Sequence, residues 1–330
     1  MNILITGAGG FIGSAVTDEA LRRGMTVYAG VRSTTNRRWL TDPRITFVDI
    51  NIDSQAALVD SLTGLDIDYV VHAAGVTKST HLDDFMRVNA DGTRNIAIAL
   101  QQTQPTLRRF VFLSSLSVLG PVDEAMPHRE ITADDTPHPN TAYGRSKLAA
   151  EKILDGMDGF PCITLRPTGV YGPRERDYYL MAKSVARHVD FAAGFRRQDL
   201  TFIYVKDVVQ AVFKALDHGT TGKKYLLSDG RTYTSRAFSS LIRHELGDPF
   251  TVRMTAPLWM LRAITTAGEW AGRVTGQLTA LNADKYNLLA QRNFRCDITP
   301  ARAELDFAPE YDLARGVAET IRWYKENKWL

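Results

Sequence analysis

Eight residues near the start of the chain restrict its fold more than any others. Thr6-Gly7-Ala8-Gly9-Gly10-Phe11-Ile12-Gly13 follows the apolar run Asn2-Ile3-Leu4-Ile5 and opens a segment of helical period at 11–23. Glycine is required where a chain turns tightly, where backbone must approach a ligand's oxygens, and where a helix packs against a strand. A helix that begins there leaves its first N–H groups, and the positive end of its dipole, open to an anion. Strand, glycine turn and helix in this order predict a dinucleotide pyrophosphate site formed by Gly7, Gly10, Phe11, Ile12 and Gly13.

The rest of the first half repeats the same rhythm. Short runs rich in Val, Ile, Leu and Phe occur at 2–6, 26–31, 45–49, 68–74, 109–115 and 161–166, with helical patterns at 11–23, 54–63, 82–103 and 142–156 between them. Nearly continuous apolar strands are buried on both faces, as in a parallel sheet covered by helices. The expected fold class is α/β, a doubly wound (Rossmann) parallel sheet. After about residue 170 helical patterns dominate, at 177–189, 207–217, 234–246, 257–281 and 312–328, and one strand-like run, 224–228, is placed to extend the sheet. These divide the chain into a dinucleotide-binding domain, 1–170, to which 201–228 returns, and a smaller, mainly helical substrate lobe within 171–330. Between them, the stretch 120–140 holds four prolines and is expected to be a long loop, either a solvated crossover or a cover for the site.

Composition narrows the class. With 40 Lys and Arg against 37 Asp and Glu, the chain lacks the basic field of a nucleic-acid binder, so no nucleic-acid partner is expected. Cys162 and Cys296 can neither frame a disulfide scaffold nor close a metal site alone, and are expected as reduced, buried thiols of a cytoplasmic protein. No signal peptide and no apolar run long enough to span a bilayer is visible.

A carboxylate at the end of the second strand would bind a ribose 2′-hydroxyl and repel a 2′-phosphate. The strand ends instead in Val31-Arg32, with Arg37 and Arg38 nearby, so Arg32 is expected to pair with a 2′-phosphate. NADP(H) is therefore favoured over NAD(H). Asp49 and Ile50, at the end of the third strand, are placed to meet the adenine.

Tyr143-Gly144-Arg145-Ser146-Lys147 opens a predicted helix, with Tyr143 and Lys147 four apart on one face. A phenol of pKa near ~10 is a poor acid or base at neutral pH, and an adjacent ammonium lowers that pKa. Ser115, at the tip of the fifth strand, can hydrogen-bond a substrate oxygen as charge develops on it.

With residues 6–13, His72-Ala73-Ala74-Gly75, Asn89, Ser114-Ser115, Tyr143 to Lys147, the run 166–174 and Tyr204-Val205-Lys206-Asp207-Val208, the chain resembles the extended short-chain dehydrogenase/reductases, the NAD-dependent epimerase/dehydratase superfamily. The resemblance implies a Ser115, Tyr143, Lys147 catalytic triad with Asn89 and water as a relay. It places Ala73, Ala74, Gly75, Tyr143 and Lys147 at the cofactor, and Pro167 and Thr168 near the nicotinamide. It also implies a homodimer through the helices near 82–103 and 142–156.

Three features separate branches of that family. Leu116-Ser117 stands where nucleotide-sugar dehydratases carry Asp-Glu, and Thr168 stands where nucleotide-sugar epimerases commonly carry Asn. Val31-Arg32, Leu165-Arg166-Pro167-Thr168 and the C-terminal pattern are similar to the dihydroflavonol-reductase and 3β-hydroxysteroid-dehydrogenase-like branch, and reductases of 3-ketosphinganine share this look. The expectation is an NADPH-dependent reductase of a ketone on a bulky apolar molecule. A nucleotide-sugar 4-epimerase with tightly bound NAD, and a non-catalytic nucleotide sensor, are the alternatives. Within 257–281, Leu261, Ile264, Ala267, Ala271, Val274, Leu278 and Leu281 form a stripe that either packs in the lobe or faces lipid at a membrane surface. Tyr178, Tyr179, Met181, Phe191, Phe195 and Phe202 are candidate pocket lining, each with a place in the lobe's core as the alternative.

Overall fold

The computed structural model describes residues 1–79, 81–275 and 283–330, without side chains for 269–275 and 283. Its first half runs β1 (Asn2–Thr6), α1 (Phe11–Arg22), β2 (Thr26–Val31), β3 (Ile45–Asp49), α2 (Gln55–Leu62), β4 (Tyr69–His72), α3 (Leu82–Phe85), α4 (Gly92–Thr103), β5 (Arg109–Leu113), α5 (Ala142–Asp155) and β6 (Cys162–Pro167). The second half adds β7 (Gly169–Tyr171), α6 (Asp177–Ala186), β8 (Val189–Ala193), β9 (Phe202–Tyr204), α7 (Val205–Asp217), β10 (Lys224–Leu227), α8 (Ala237–Glu245) and β11 (Val252–Ala256). The chain closes with α9 (Leu258–Thr275), α10 (Ala283–Ala290), α11 (Thr299–Leu305) and α12 (Leu313–Glu326).

Seven strands form one sheet in the order β10-β6-β5-β4-β1-β2-β3. Every neighbouring pair in it is parallel. Successive side chains alternate between its faces. Ile3 and Ile5 of β1 join Val16, Val208, Val212, Ala301 and Leu305 under α1, α7 and α11. Leu4, with Val70, Phe110 and Phe112, packs under Leu58, Ile96, Leu100, Ala150 and Leu154 of α2, α4 and α5. The doubly wound sheet expected from the apolar runs is present, and 224–228 does extend it.

A third core joins Tyr171, Phe202, Tyr204, Phe238, Leu313, Val317, Ile321 and Tyr324, from β7, β9, α8 and α12. Two small parallel pairs, β7 with β9 and β8 with β11, accompany it. Cys162 and Cys296 are free and buried, and burial pushes both thiols up to about 12. Among the described residues no helix is long and apolar enough to cross a membrane.

The helix expected over 82–103 is interrupted. Between α3 and α4, residues Met86–Asp91 form a wider π-helical stretch, and it carries the buried Asn89. One extra residue in the turn re-aims a side chain without ending the helix, a device common at functional sites.

Candidate active site

The glycine run forms the turn its spacing predicts. Gly7 has φ +69°, and a Cβ there would lie 2.7 Å from Ala73 O and Ala74 N. A Cβ on Gly13 would lie 2.2 Å from Gly7 O, so only glycine lets α1 start this close to β1. Gly10 caps α1 without any side-chain acceptor, and the first turn holds no carboxylate. The N–H groups there remain available to an anion. By contrast α2, α5 and α12 are capped by Ser54, Thr141 and Asp312.

From this turn a groove of about 230 Å³ runs across the strand ends. Of the residues named from sequence, Gly7, Gly10, Arg32, Ile50, Ala73, Ala74 and Gly75 line it; Thr35, Ile52, Val76 and Val88, which the sequence did not single out, complete it. Phe11, Ile12 and Gly13 shape its end through α1, while Asp49 is exposed beside it at the end of β3, outside the lining. The groove fits a dinucleotide by the chemistry of its walls: open N–H groups at one end, the Arg32 guanidinium at the rim, and apolar Ile50 and Ile52 between.

At its far end the groove meets the proton-transfer candidates. A Cβ on Gly75 would lie 2.9 Å from Asn89 Oδ1 and 3.3 Å from Lys147 Nζ. Lys147 is buried, donates to Leu113 O at 2.8 Å and sits 4.7 Å from the centre of the Phe112 ring. Burial pushes its ammonium down to about 8, and the Glu151 carboxylate one turn further on draws it partly back. Burial pushes the Tyr143 phenol up to about 12, opposed by its hydrogen bond with the Ser115 hydroxyl. Ser115 accepts from Ser117 N at 3.1 Å and donates to Ser117 Oγ at 3.0 Å, which holds it at the tip of β5. Thr168 lies at the end of β6, its hydroxyl 2.8 Å from Thr201 Oγ1, just beyond Pro167.

Asn89 acts as a strut in this arrangement. Its amide donates to Val76 O and to Ser146 Oγ, both at 2.9 Å, and its oxygen accepts from Val76 N at 2.8 Å. It thereby fastens the loop after β4 to α5.

Several supporting groups escaped the sequence reading. Arg166 of β6 and Glu151 of α5 form a fully buried two-pronged ion pair, Nη2 to Oε2 2.6 Å and Nε to Oε1 3.0 Å, and Ser114 donates to the same carboxylate at 2.5 Å. The spacing 143, 147, 151 along one helix face was the signal that could have found Glu151. Asp284 of α10 accepts from Ala142 N at 2.8 Å and Tyr143 N at 3.4 Å, so its carboxylate sits on the N-terminus of α5. No local signal marks it, because the contact joins residues more than a hundred positions apart.

The long stretch 120–140 is neither a free crossover nor a separate flap. Ile131 bridges to Cys296, Asn293 donates to Arg129 O, and His128 pairs with Asp199 at 2.8 Å, so the loop is strapped to 291–297. Of the candidate pocket residues, four take the core alternative and two take neither. Phe202 is buried in the lobe core, with Tyr178, Tyr179 and Met181 packed on it, whereas Phe191 and Phe195 are exposed. Tyr178 stacks on Phe238 at 4.6 Å, which explains its place in that core. On α9, Leu261 and Thr265 face inward while Ile264 and Ala267 are exposed, so the described part of the stripe is divided between core and surface; Ala271, Val274, Leu278 and Leu281 lie outside the described side chains.

A parallel sheet with an open glycine cradle at the start of α1, and a Ser, Tyr and Lys set at the far end of the groove, defines a dinucleotide-dependent oxidoreductase. A family model described as the NAD dependent epimerase/dehydratase family matches residues 3–228, and the chain belongs to that family, in its extended short-chain dehydrogenase/reductase form. It is 26% identical to dTDP-glucose 4,6-dehydratase of Streptomyces antibioticus, covering 99% of this chain and 93% of that protein. It is 24% identical to 3-beta-hydroxysteroid dehydrogenase of Mycolicibacterium neoaurum, covering 98% of this chain and 91% of that one. The solved UDP-glucose 4-epimerase of Thermotoga maritima superposes with a TM-score of 0.80 at 21% identity, over 99% of this chain and 100% of the other, a likeness of fold.

Proposed function

We propose that the chain is an NADPH-dependent reductase of a ketone carried on a bulky apolar molecule, such as a long-chain 3-keto base or a steroid-like compound. The observation that carries the reading is the meeting of the groove with Lys147 at Gly75, one helical turn along α5 from Tyr143, whose phenol is hydrogen-bonded to Ser115.

In this reading Gly7, Gly10 and the start of α1 hold the pyrophosphate, Arg32 the 2′-phosphate, Asp49 and Ile50 the adenine, and Ala73, Ala74 and Gly75 the groove floor. Pro167 and Thr168 flank the nicotinamide, which supplies the hydride when bound. The Ser115 hydroxyl turns from Ser117 to the carbonyl oxygen, and Tyr143 shares that oxygen from the other side. Tyr143 remains protonated at neutral pH because burial holds its pKa up, so it can donate the proton as the carbon accepts hydride and the ketone becomes an alcohol. Lys147, still charged at neutral pH, steadies the resulting phenolate, and Asn89 keeps the loop and helix in register.

The substrate class rests on Leu116 and Ser117 after Ser115, where an elimination would call for carboxylates, and on the Val31-Arg32 ending of β2. The match to a 3-beta-hydroxysteroid dehydrogenase over nearly the whole chain supports the same branch. A homodimer through α3, α4 and α5 belongs to this proposal, with exposed Leu82 and Met86 for a second copy to cover.

The test is NADPH oxidation followed against long-chain ketones, steroids and UDP- or dTDP-sugars. Turnover is expected with a long-chain or steroid ketone, and Tyr143→Phe should abolish it while leaving NADPH affinity within about twofold. Equal loss of turnover and of NADPH binding overturns the assignment of Tyr143. Cofactor that survives denaturing extraction, with interconversion of sugar nucleotides and no net oxidation, would favour the epimerase instead.

A further inference from the structure

We propose that the outer face of the β8–β11 pair, with the two ends that flank it, docks on an anionic phospholipid bilayer. The two strands run parallel in register, Val189 beside Val252, Phe191 beside Met254 and Ala193 beside Ala256. Alternation sends Asp190 and Ala192 inward, where they are buried, and leaves Phe191, Val252 and Met254 about half exposed on the other face. Exposed aromatic residues also stand at both ends of the pair. Phe250 precedes β11 by two residues and is 80% exposed, while Phe195 follows β8 by two and is 76% exposed. Leu258, at the start of α9, lies 3.2 Å from where a Cβ on Gly194 would be, so the start of α9, with Trp259 72% exposed, abuts the turn after β8. Six large apolar side chains are thus exposed on this pair and its two flanks, where a folded chain ordinarily presents them singly.

The charge around this face selects the occupant. The two strands and their flanks, residues 187–199 and 248–262, carry Arg187, Arg196, Arg197, Arg253 and Arg262 against Asp190, Asp199 and Asp248, a net of +2 from five minus three, out of +3 for the whole chain. Asp190 is buried and bound by Arg236 at 2.9 Å, with Arg253 at 3.6 Å; Arg197 is paired with Asp199. From the neighbouring α8, Arg243 and His244 hold Asp248 beside Phe250. A second copy is disfavoured as the cover, because a twofold contact sets this patch against itself and brings two positive rims together. A lipid surface of negative charge complements both parts, apolar side chains entering below the headgroups and arginines meeting the phosphates. Aromatic residues such as Trp259 suit that boundary.

The test reads no turnover, so the surface stands or falls apart from the proposed activity. The purified full chain is sedimented with vesicles of equimolar phosphatidylglycerol and phosphatidylcholine, and with phosphatidylcholine vesicles alone. Binding to the anionic vesicles that weakens with added salt is expected. Phe195→Ser with Trp259→Ser should lower the partition coefficient about tenfold or more. Arg196→Glu and Arg262→Glu should lower it roughly fivefold each. Each variant is checked for unchanged melting and unchanged NADPH affinity, since all four side chains are exposed. Absence of wild-type binding to anionic vesicles, or binding that these variants leave unchanged, overturns the proposal. So does a wild-type dimer that Trp259→Ser converts to monomer, because a second copy would then be the cover.

Discussion

His72 shows how a single buried residue sets the polarity of the site's floor. It is wholly buried at the end of β4, between Phe110 and Phe112, with Thr6 Oγ1 2.7 Å from Nδ1 and Thr93 Oγ1 3.0 Å from Nε2. Thr93 already donates to Asn89 O at 2.6 Å, so Nε2 must be the protonated nitrogen and Nδ1 the acceptor. The ring is therefore neutral, and burial with the nearby Lys147 ammonium pushes its pKa down to about 3. The unfolded chain takes up this proton near pH ~6.5 and the folded one does not, so stability falls as pH drops from about 6.5 towards 3. The slope from this group is about 1.4 kcal/mol per pH unit. Urea unfolding of the wild type and His72→Gln between these limits should show a flatter dependence in the variant; parallel curves would remove the ring from the account.

At the scale of elements, α5 is held at its start by two acceptors of different origin. Thr141 Oγ1 takes Gly144 N at 3.0 Å, and the Asp284 carboxylate takes Ala142 N and Tyr143 N. The second contact makes a helix from the C-terminal third responsible for where the Tyr143 backbone sits. Asp284→Ala should cost about 1 kcal/mol of stability, as for loss of a cap. If the proposed chemistry is right, turnover should fall severalfold with NADPH affinity unchanged, and Asp284→Asn should recover most of it. Urea melts and steady-state kinetics check both. Elements of this kind set the limit of what the residues disclosed in advance. β1 and β2 agree with their apolar runs because both faces of each are covered, so pattern and burial coincide, while the edge strand β3 leaves Thr46, Phe47 and Asp49 exposed. β7, β8, β9 and β11 have three to five residues each and pair only with distant partners, so nothing local marks them. The π-helical stretch around Asn89 was hidden for a related reason: a periodicity of 3.6 residues averages over one widened turn. Tyr143, Lys147 and Ser115 were legible because their spacing is local or sits at a strand tip. Asp284 was not, because its partner is set by tertiary packing alone.

For the molecule as a whole, the groove joins parts that would otherwise be independent. It takes walls from the turns after β1, β2, β3 and β4, so a ligand that fills it opposes separation of all of them. NADPH at about a hundred times its Kd should add roughly 2.7 kcal/mol to the folded state, seen as a rise in Tm. At equal concentration NADH should raise Tm less, and Arg32→Glu should reverse the order of the two. An unchanged order would remove the 2′-phosphate argument while leaving the fold and the cradle as described.

Gly75 carries a consequence for anyone redesigning this chain. Its Cα stands between the groove and the ammonium of Lys147, with Asn89 closing the third side. Even one methyl group added there must evict a neighbour, so altered substrate range has to be sought elsewhere. Variation is closed at this carbon, as it is at Gly7 and Gly13.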